Sequence, residues 1–156
     1  MSTTTPLAAL YQRVIQEELG LVAKVDDDGD VLFRHPDLGT MFFSLTENDP
    51  EFLRLLYPNF VSAEELGMSQ DALLAAINAV NHRCKAVKLV IQQGRDGAAG
   101  RVSAAIEGFV AAADQLPAEA LLRGIIARCV AAIRHSAGEL LKDAIELKQA
   151  GAQAAD

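Results

Sequence analysis

The sequence predicts an α+β fold, with an antiparallel sheet of five to six strands and helices on one face of it. Apolar residues recur every three to four positions near the N-terminus, alternate along short segments in the middle, and return to helical spacing near the C-terminus. The strand segments lie in groups between helices, a pattern typical of α+β proteins. The expected order is helix, three to four strands, helix, two strands and a long C-terminal helical region.

The first helix is predicted from a start signal, an apolar stripe and a stop signal. Thr5 can cap the N-terminus, and Pro6 suits the first turn, where its missing N–H costs nothing. Gly20 suits the left-handed residue that ends many helices. The stripe between them consists of Leu7, Leu10, Tyr11, Val14, Ile15 and Leu19. We therefore expect an amphipathic helix.

An antiparallel meander is expected next. An acidic turn with an Asp-Gly pair, 26–30, separates the first two of its three strands, as hairpins favour. The three strands are 21–25, 31–35 and 40–45. The apolar run 52–57 cannot be assigned by its period alone, but turn residues on both sides favour a fourth strand that ends at Pro58.

The second half repeats the change of period. Ser62 and Glu65 can form a capping box, and Ser69 can cap a helix. That helix carries Leu73, Leu74, Ile77, Val80 and Cys84 on one side. Two further strands, 86–92 and 101–109, are expected to form a hairpin around a glycine-rich loop.

Helical spacing returns from about Pro117 to Leu147. Ser136 and Gly138 leave open whether this region is one helix or two. Its apolar positions either close the core or pack against a second subunit, and four of them are the main candidates: Leu122, Ile126, Ile133 and Leu140. We expect a single domain over residues 1–148 and a frayed tail over 149–156.

Composition disfavours some partners. The chain is 51% hydrophobic, with a mean hydropathy of +0.17 and a net charge of −7, so it has enough apolar residues for a core and too few cations to favour nucleic acid. No apolar run approaches the roughly 18–20 residues that a membrane span needs. The N-terminal segment lacks the features of a secretory signal. We expect a cytoplasmic protein without membrane or nucleic-acid partners.

No motif predicts catalysis or a cofactor. Asp26, Asp28 and Asp30 have calcium-loop spacing, but Val31 stands where such a loop needs glycine. The histidines are far apart and form no zinc motif, and neither GxSxG nor a phosphate-binding glycine loop is present. We expect no metal, no cofactor and no enzyme activity.

The predicted sheet has one nearly all-apolar face, which should lie under the helices. Its opposite face mixes polar residues, among them Lys24, Arg34 and Thr40, with large apolar ones. Apolar groups on a solvent face mark a candidate partner-binding surface. Its candidate residues are Val22, Leu32, Arg34, Phe42 and Val90.

The stretch 71–113 resembles a known family. It contains a helix ending in Asn78-x-x-Asn81, then a strand, a loop and a second strand. This order is similar to that of the YbjN family, whose fold resembles the type III secretion chaperones. We expect Asn78 and Asn81 to be structural residues whose amides bind backbone at the helix end or on the next strand.

The resemblance implies a protein- or peptide-binding module, acting as a monomer or a homodimer. A client segment would add to a sheet edge or lay apolar side chains on the sheet face. The alternative is a bacterial regulatory or small-molecule-sensing protein, with a pocket between the sheet and the C-terminal helix. Neither the client nor the pathway follows from the sequence.

Overall fold

The computed structural model describes residues 4–155 and confirms the α+β class, with a six-stranded antiparallel sheet and a long C-terminal helix. The helices are α1 (Pro6–Leu19), α2 (Ala63–Leu66), α3 (Gln70–Arg83) and α4 (Glu119–Gln153). The strands are β1 (Ala23–Val25), β2 (Val31–His35), β3 (Gly39–Phe43), β4 (Phe52–Ser62), β5 (Lys88–Gln92) and β6 (Arg101–Phe109). The strand order in the sheet is β1-β2-β3-β4-β6-β5, so β1 and β5 are the edge strands.

The chain forms two compact units. The first contains residues 4–57 and Ala105–Ala131, and the second contains Pro58–Ala104 and 132–155. The expectation of a single domain over 1–148 stays a prediction. Each unit has buried apolar residues of its own.

The first unit begins as its capping residues predict. The Thr5 hydroxyl accepts the Ala8 N–H at 3.1 Å, and Gly20 ends α1 with a φ of 64°. The apolar stripe of α1 is buried, and the Tyr11 ring lies 5.1 Å from the ring of Phe43 on β3. The helix therefore covers the apolar face of the meander.

The meander has the register that alternation predicts. Phe33 pairs with Ala23 on one side and with Met41 on the other, and all three are buried. The strand bounds differ from the prediction by one to two residues at the ends of β1 and β3. Directly opposite residues share a face, so one side of β1–β3 is the core side and the other faces outward.

β4 is a strand, as predicted, but its predicted end is wrong. It continues through Pro58 to Ser62, because side chains replace the ladder bonds that the proline interrupts. Asn59 has a φ of 51°, its N–H donates to the Ser103 hydroxyl at 2.9 Å, and its carbonyl accepts from Arg101 Nε at 2.9 Å. Ser103 itself is buried.

The second unit contains both predicted caps. Ser62 and Glu65 form a reciprocal capping box for α2, and the Ser69 hydroxyl accepts the Ala72 N–H at 3.1 Å at the start of α3. The loop between β5 and β6 returns so closely that a Cβ on Gly100 would lie 2.4 Å from Ile91 Cγ2. Glycine is therefore required at this approach.

α4 resolves the question left open by Ser136 and Gly138, because it is one helix of 35 residues. Ser136 does not start a new helix. It lies in the middle of α4 and is buried. The helix also continues to Gln153, so 149–153 is helical where a tail was predicted, and Asp156 lies outside the described residues.

Candidate partner-binding site

The outward side of β1–β3 carries a row of residues that the strand register aligns. Lys24 pairs with Leu32, Leu32 with Phe42, and Phe42 with Leu56 on β4. Directly opposite side chains stand about 5 Å apart on the same face. One cation and three half-buried apolar side chains thus form a continuous line across four strands of the first unit.

A second row lies two residues further along β2, on the same face. Arg34 pairs with Thr40, and both are exposed. Val22, which directly precedes β1, is 73% exposed. We call Val22, Lys24, Leu32, Arg34 and Phe42 the outer-face patch.

An open groove of about 580 Å³ runs over part of this patch. Its lining residues are Val22, Lys24, Val25, Asp26, Leu32, Phe33, Arg34 and Thr40. The structure therefore brings together three of the five predicted binding residues in one concavity, and Phe42 adjoins them through its pairing with Leu32. Val90 is 37% exposed but lies on β5 in the second unit and does not line this groove.

The cations of the outer-face patch differ from the other arginines of the first unit that form ion pairs. Arg13 pairs with Glu119 at 2.9 Å, Arg54 with Glu107 at 2.9 Å, and Arg123 with Glu17, Glu18 and Glu119. By contrast, Lys24 and Arg34 form no ion pair with any residue of 4–155. Sequence reasoning placed Lys24 on this face without choosing it as a binding residue.

In the acidic turn next to the patch, backbone N–H groups donate hydrogen bonds to two of the aspartate carboxylates. Asp26 Oδ1 accepts the N–H groups of Asp28 and Asp30 at 3.0 and 2.9 Å. Asp30 Oδ1 accepts the Leu45 N–H at 2.8 Å, and burial raises the pKa of Asp30 above its ordinary value. Two of the three carboxylates that suggested a calcium loop therefore accept backbone N–H groups: Asp26 from within the turn, and Asp30 from Leu45.

Side-chain amides occupy the free edge of β1. Gln12 Nε2 donates to the carbonyl of Ala23 at 2.9 Å, and the Ala23 N–H donates to Gln16 Oε1 at 3.3 Å. Both backbone groups of Ala23 point away from β2, and they are the groups that an added strand would bind. Sequence reasoning missed these glutamines, although two glutamines four residues apart flank the apolar stripe of α1.

The other edge strand has an equivalent contact within the second unit. Asn81 Nδ2 donates to the Leu89 carbonyl at 3.0 Å, and the Leu89 N–H donates to Asn81 Oδ1 at 2.8 Å. Asn81 therefore binds backbone on the next strand. Asn78 is exposed on the same helix.

The four α4 candidates are buried inside the chain. Leu122 and Ile126 are fully buried in the first unit, and Ile133 and Leu140 in the second. They line the core and are not available to a second copy. A second groove of about 670 Å³ lies between α3 and the end of α4, lined mainly by alanines together with Asp143, Glu146 and Leu147.

Within residues 4–155, no cluster of histidine, cysteine or acidic side chains has the arrangement of a metal site. Each helix in that range is too short or too polar to span a lipid bilayer.

The solved structures that resemble this chain cover most of its length. No family model matches the sequence, and no curated protein sequence matches it. The structure titled "Crystal structure of YbjN, a putative transcription regulator from E. coli" superposes with a TM-score of 0.58, covering 94% of this chain and 97% of that one at 15% identity.

This chain has a YbjN-like fold. An uncharacterised protein from Methanothermobacter thermautotrophicus matches similarly, with a TM-score of 0.56, 14% identity, and coverage of 88% of this chain and 98% of that one. The predicted resemblance to YbjN is thus confirmed for the fold. At such identities a shared fold does not establish a shared activity.

Proposed function

We propose that this chain is a non-enzymatic protein-binding module and that it binds a segment of a partner protein on the outer-face patch. The observation that carries the proposal is the exposed apolar cluster on the outward side of β1–β3. Val22 is 73% exposed, and Leu32 and Phe42 are half-buried beside it. Apolar side chains that adjoin one another on a solvent face mark an interaction site more often than scattered ones do.

The capped edges favour the sheet face over strand addition. A strand joining β1 would have to displace Gln12 and Gln16 from Ala23, and a strand joining β5 would have to displace Asn81 from Leu89. Displacing these bonds would cancel much of the main-chain gain from strand addition. Of the two modes expected from the sequence, we therefore retain binding on the face.

A regulatory role is compatible with the same site. The E. coli protein YbjN is described as a putative transcription regulator. With 21 acidic and 14 basic residues, this chain is poorly suited to contact a phosphate backbone directly. A regulator with this composition would act through a protein partner. The small-molecule pocket between sheet and C-terminal helix stays a prediction, and a ligand-dependent rise in melting temperature would test it.

Quantitative affinity capture from the native host tests the proposal. The bait is compared with a Val22→Asp/Phe42→Asp variant and with Ile145→Asp, a control at an apolar position that is 58% exposed on α4. We expect the patch variant to lose specific partners about tenfold or more, because charges replace buried apolar contacts. The control should retain them. Partners that bind the patch variant as well as the original chain would contradict the proposal.

A further inference from the structure

Apolar side chains and cations alternate on the outer-face patch, both along each strand and across the strand pair. Lys24 lies opposite Leu32, and the same register continued by one pair beyond β1 places Val22 opposite Arg34. Lys24 and Arg34 are therefore diagonal neighbours across the two strands, and Val22 and Leu32 occupy the other diagonal. Diagonal neighbours across two antiparallel strands are about 7–8 Å apart. Two positive charges thus flank an apolar centre at a separation that neighbouring carboxylates of one peptide can match.

These cations are available to a partner. Neither forms an ion pair within residues 4–155, while Arg13, Arg54 and Arg123 of the same unit do. Asp26 is the carboxylate that lines the groove, and its Oδ1 already accepts two backbone N–H groups of its own turn. The groove therefore presents unpaired positive charge in a chain whose net charge is −7.

We infer that the occupant of the outer-face patch is an acidic, amphipathic segment of another protein. Its carboxylates pair with Lys24 and Arg34, and its apolar side chains lie on the rest of the patch. This inference rests on the proposed function and adds the chemistry of the partner to it. Charge complementarity of this kind selects partners and speeds association, and it weakens as salt increases.

A membrane surface and a second copy fit the patch less well. Anionic lipid would attract the two cations, but Asp26 lines the same groove and three further aspartates follow it in the turn 26–30, so a uniformly anionic surface would be repelled beside the patch. A second copy of an acidic chain adds general repulsion, since both carry a net charge of −7. An acidic segment of another protein can bind favourably if its negative charge is concentrated opposite Lys24 and Arg34.

The test is a selection of random peptides displayed on phage against the immobilised full-length chain, followed by titration of the selected synthetic peptides by fluorescence anisotropy. Four proteins are compared: the original chain, Val22→Asp/Phe42→Asp, Lys24→Glu/Arg34→Glu, and Lys85→Glu/Lys142→Glu. The last variant changes net charge equally at exposed sites outside the patch. Circular dichroism melts establish that each variant folds, and Val22→Asp alone repeats the test at a position too exposed to affect folding.

We expect the peptides that require Val22 and Phe42 to be acidic. Their affinity should fall about tenfold or more with Lys24→Glu/Arg34→Glu, remain unchanged with Lys85→Glu/Lys142→Glu, and decrease as salt is added. Patch-dependent peptides that are neutral or basic, or that ignore the charge reversal, would overturn this inference and leave the proposed function standing. If no peptide depends on Val22 and Phe42, both fail.

Two further measurements exclude the other occupants. Phosphatidylserine vesicles that bind the chain through Lys24 and Arg34 and displace the selected peptides would overturn the inference in favour of a lipid surface. Sedimentation velocity that detects a dimer abolished by Val22→Asp would overturn it in favour of a second copy.

Discussion

Two tyrosine hydroxyls of the first unit differ in their surroundings, and each predicts its own effect on stability. Tyr11 is fully buried on α1, its hydroxyl has no hydrogen-bond partner within residues 4–155, and burial raises its pKa well above the usual range. Tyr57 is half-buried, and its hydroxyl donates to the Leu38 carbonyl at 2.7 Å. A buried polar group without a partner costs folding free energy, whereas a satisfied one contributes to it.

We therefore expect Tyr11→Phe to raise the free energy of unfolding by about 1 kcal/mol and Tyr57→Phe to lower it by about 1 kcal/mol. Urea unfolding followed by circular dichroism measures both, and the pair is matched because each change removes one hydroxyl. A less stable Tyr11→Phe protein would mean that this hydroxyl is bonded in solution.

Residue types predicted local contacts where partner and residue lie close in sequence. Thr5, Ser62 and Ser69 cap the helices that follow them, as their positions predicted. The contact of Ser103 could not be predicted in this way, because its hydroxyl accepts the N–H of Asn59, 44 residues earlier. The sequence pattern places both groove cations on one face, but their lack of an ion pair within residues 4–155 depends on where the carboxylates lie in space.

At the scale of elements, α1 and the start of α4 are joined by a charged network in the first unit. Arg13 and Arg123 both bind Glu119, and Arg123 also binds Glu17 and Glu18. Hydrogen bonds from Arg13 and Arg123 lower the pKa of Glu119 to about 2. A group with a lowered pKa in the folded state stabilises that state above its unfolded pKa, and the contribution disappears as pH falls through the folded value.

Glu119→Gln should therefore lower the melting temperature at neutral pH. The difference from the original chain should shrink as pH falls from about 4.5 through 2, because protonation of Glu119 leaves a neutral side chain at this position in both proteins. Thermal melts across this pH range measure it. Glu64→Gln, at an exposed acidic residue of α2, is the control for the loss of one negative charge. A deficit as large at pH 2 as at neutral pH would contradict the electrostatic explanation.

Helix and strand periods predicted which elements exist better than where they end. Pro58 predicts the end of a strand because it lacks an N–H. β4 nevertheless continues, since the side chains of Ser103 and Arg101 form hydrogen bonds with the backbone N–H and carbonyl of Asn59. In α4, Ser136 and Gly138 are poor helix residues, but apolar positions on both sides of them are buried, and burial outweighs a propensity cost of about 1 kcal/mol.

At the scale of the whole molecule, the sheet has two edges, and each is capped by amide side chains from a helix of its own unit. Gln12 and Gln16 bind Ala23 on β1, and Asn81 binds Leu89 on β5. Exposed sheet edges promote association between chains. A strand pattern predicts that edges exist, but only the fold decides which strands they are. Sequence alone therefore could not predict the role of the glutamines.

Asn81→Ala should remove the cap of β5. We expect the free energy of unfolding to fall by about 1–2 kcal/mol, since two hydrogen bonds are lost and the Leu89 N–H and carbonyl are left to solvent. The freed edge should also favour association between chains at high concentration. Urea unfolding, sedimentation velocity and hydrogen exchange at the Leu89 amide measure these effects.

Asn78→Ala is a matched control for this experiment, because the same residue type is removed from an exposed position on the same helix. Surface substitutions of this kind change stability by about 0.5 kcal/mol or less. If Asn81→Ala destabilises the chain, speeds hydrogen exchange at the Leu89 amide and causes association, and Asn78→Ala does none of these, the Asn81 amide protects the edge of β5. If the two variants are equally stable and equally monomeric, the Asn81 amide does not protect the edge, and strand addition at β5 becomes a competing mode for the proposed partner.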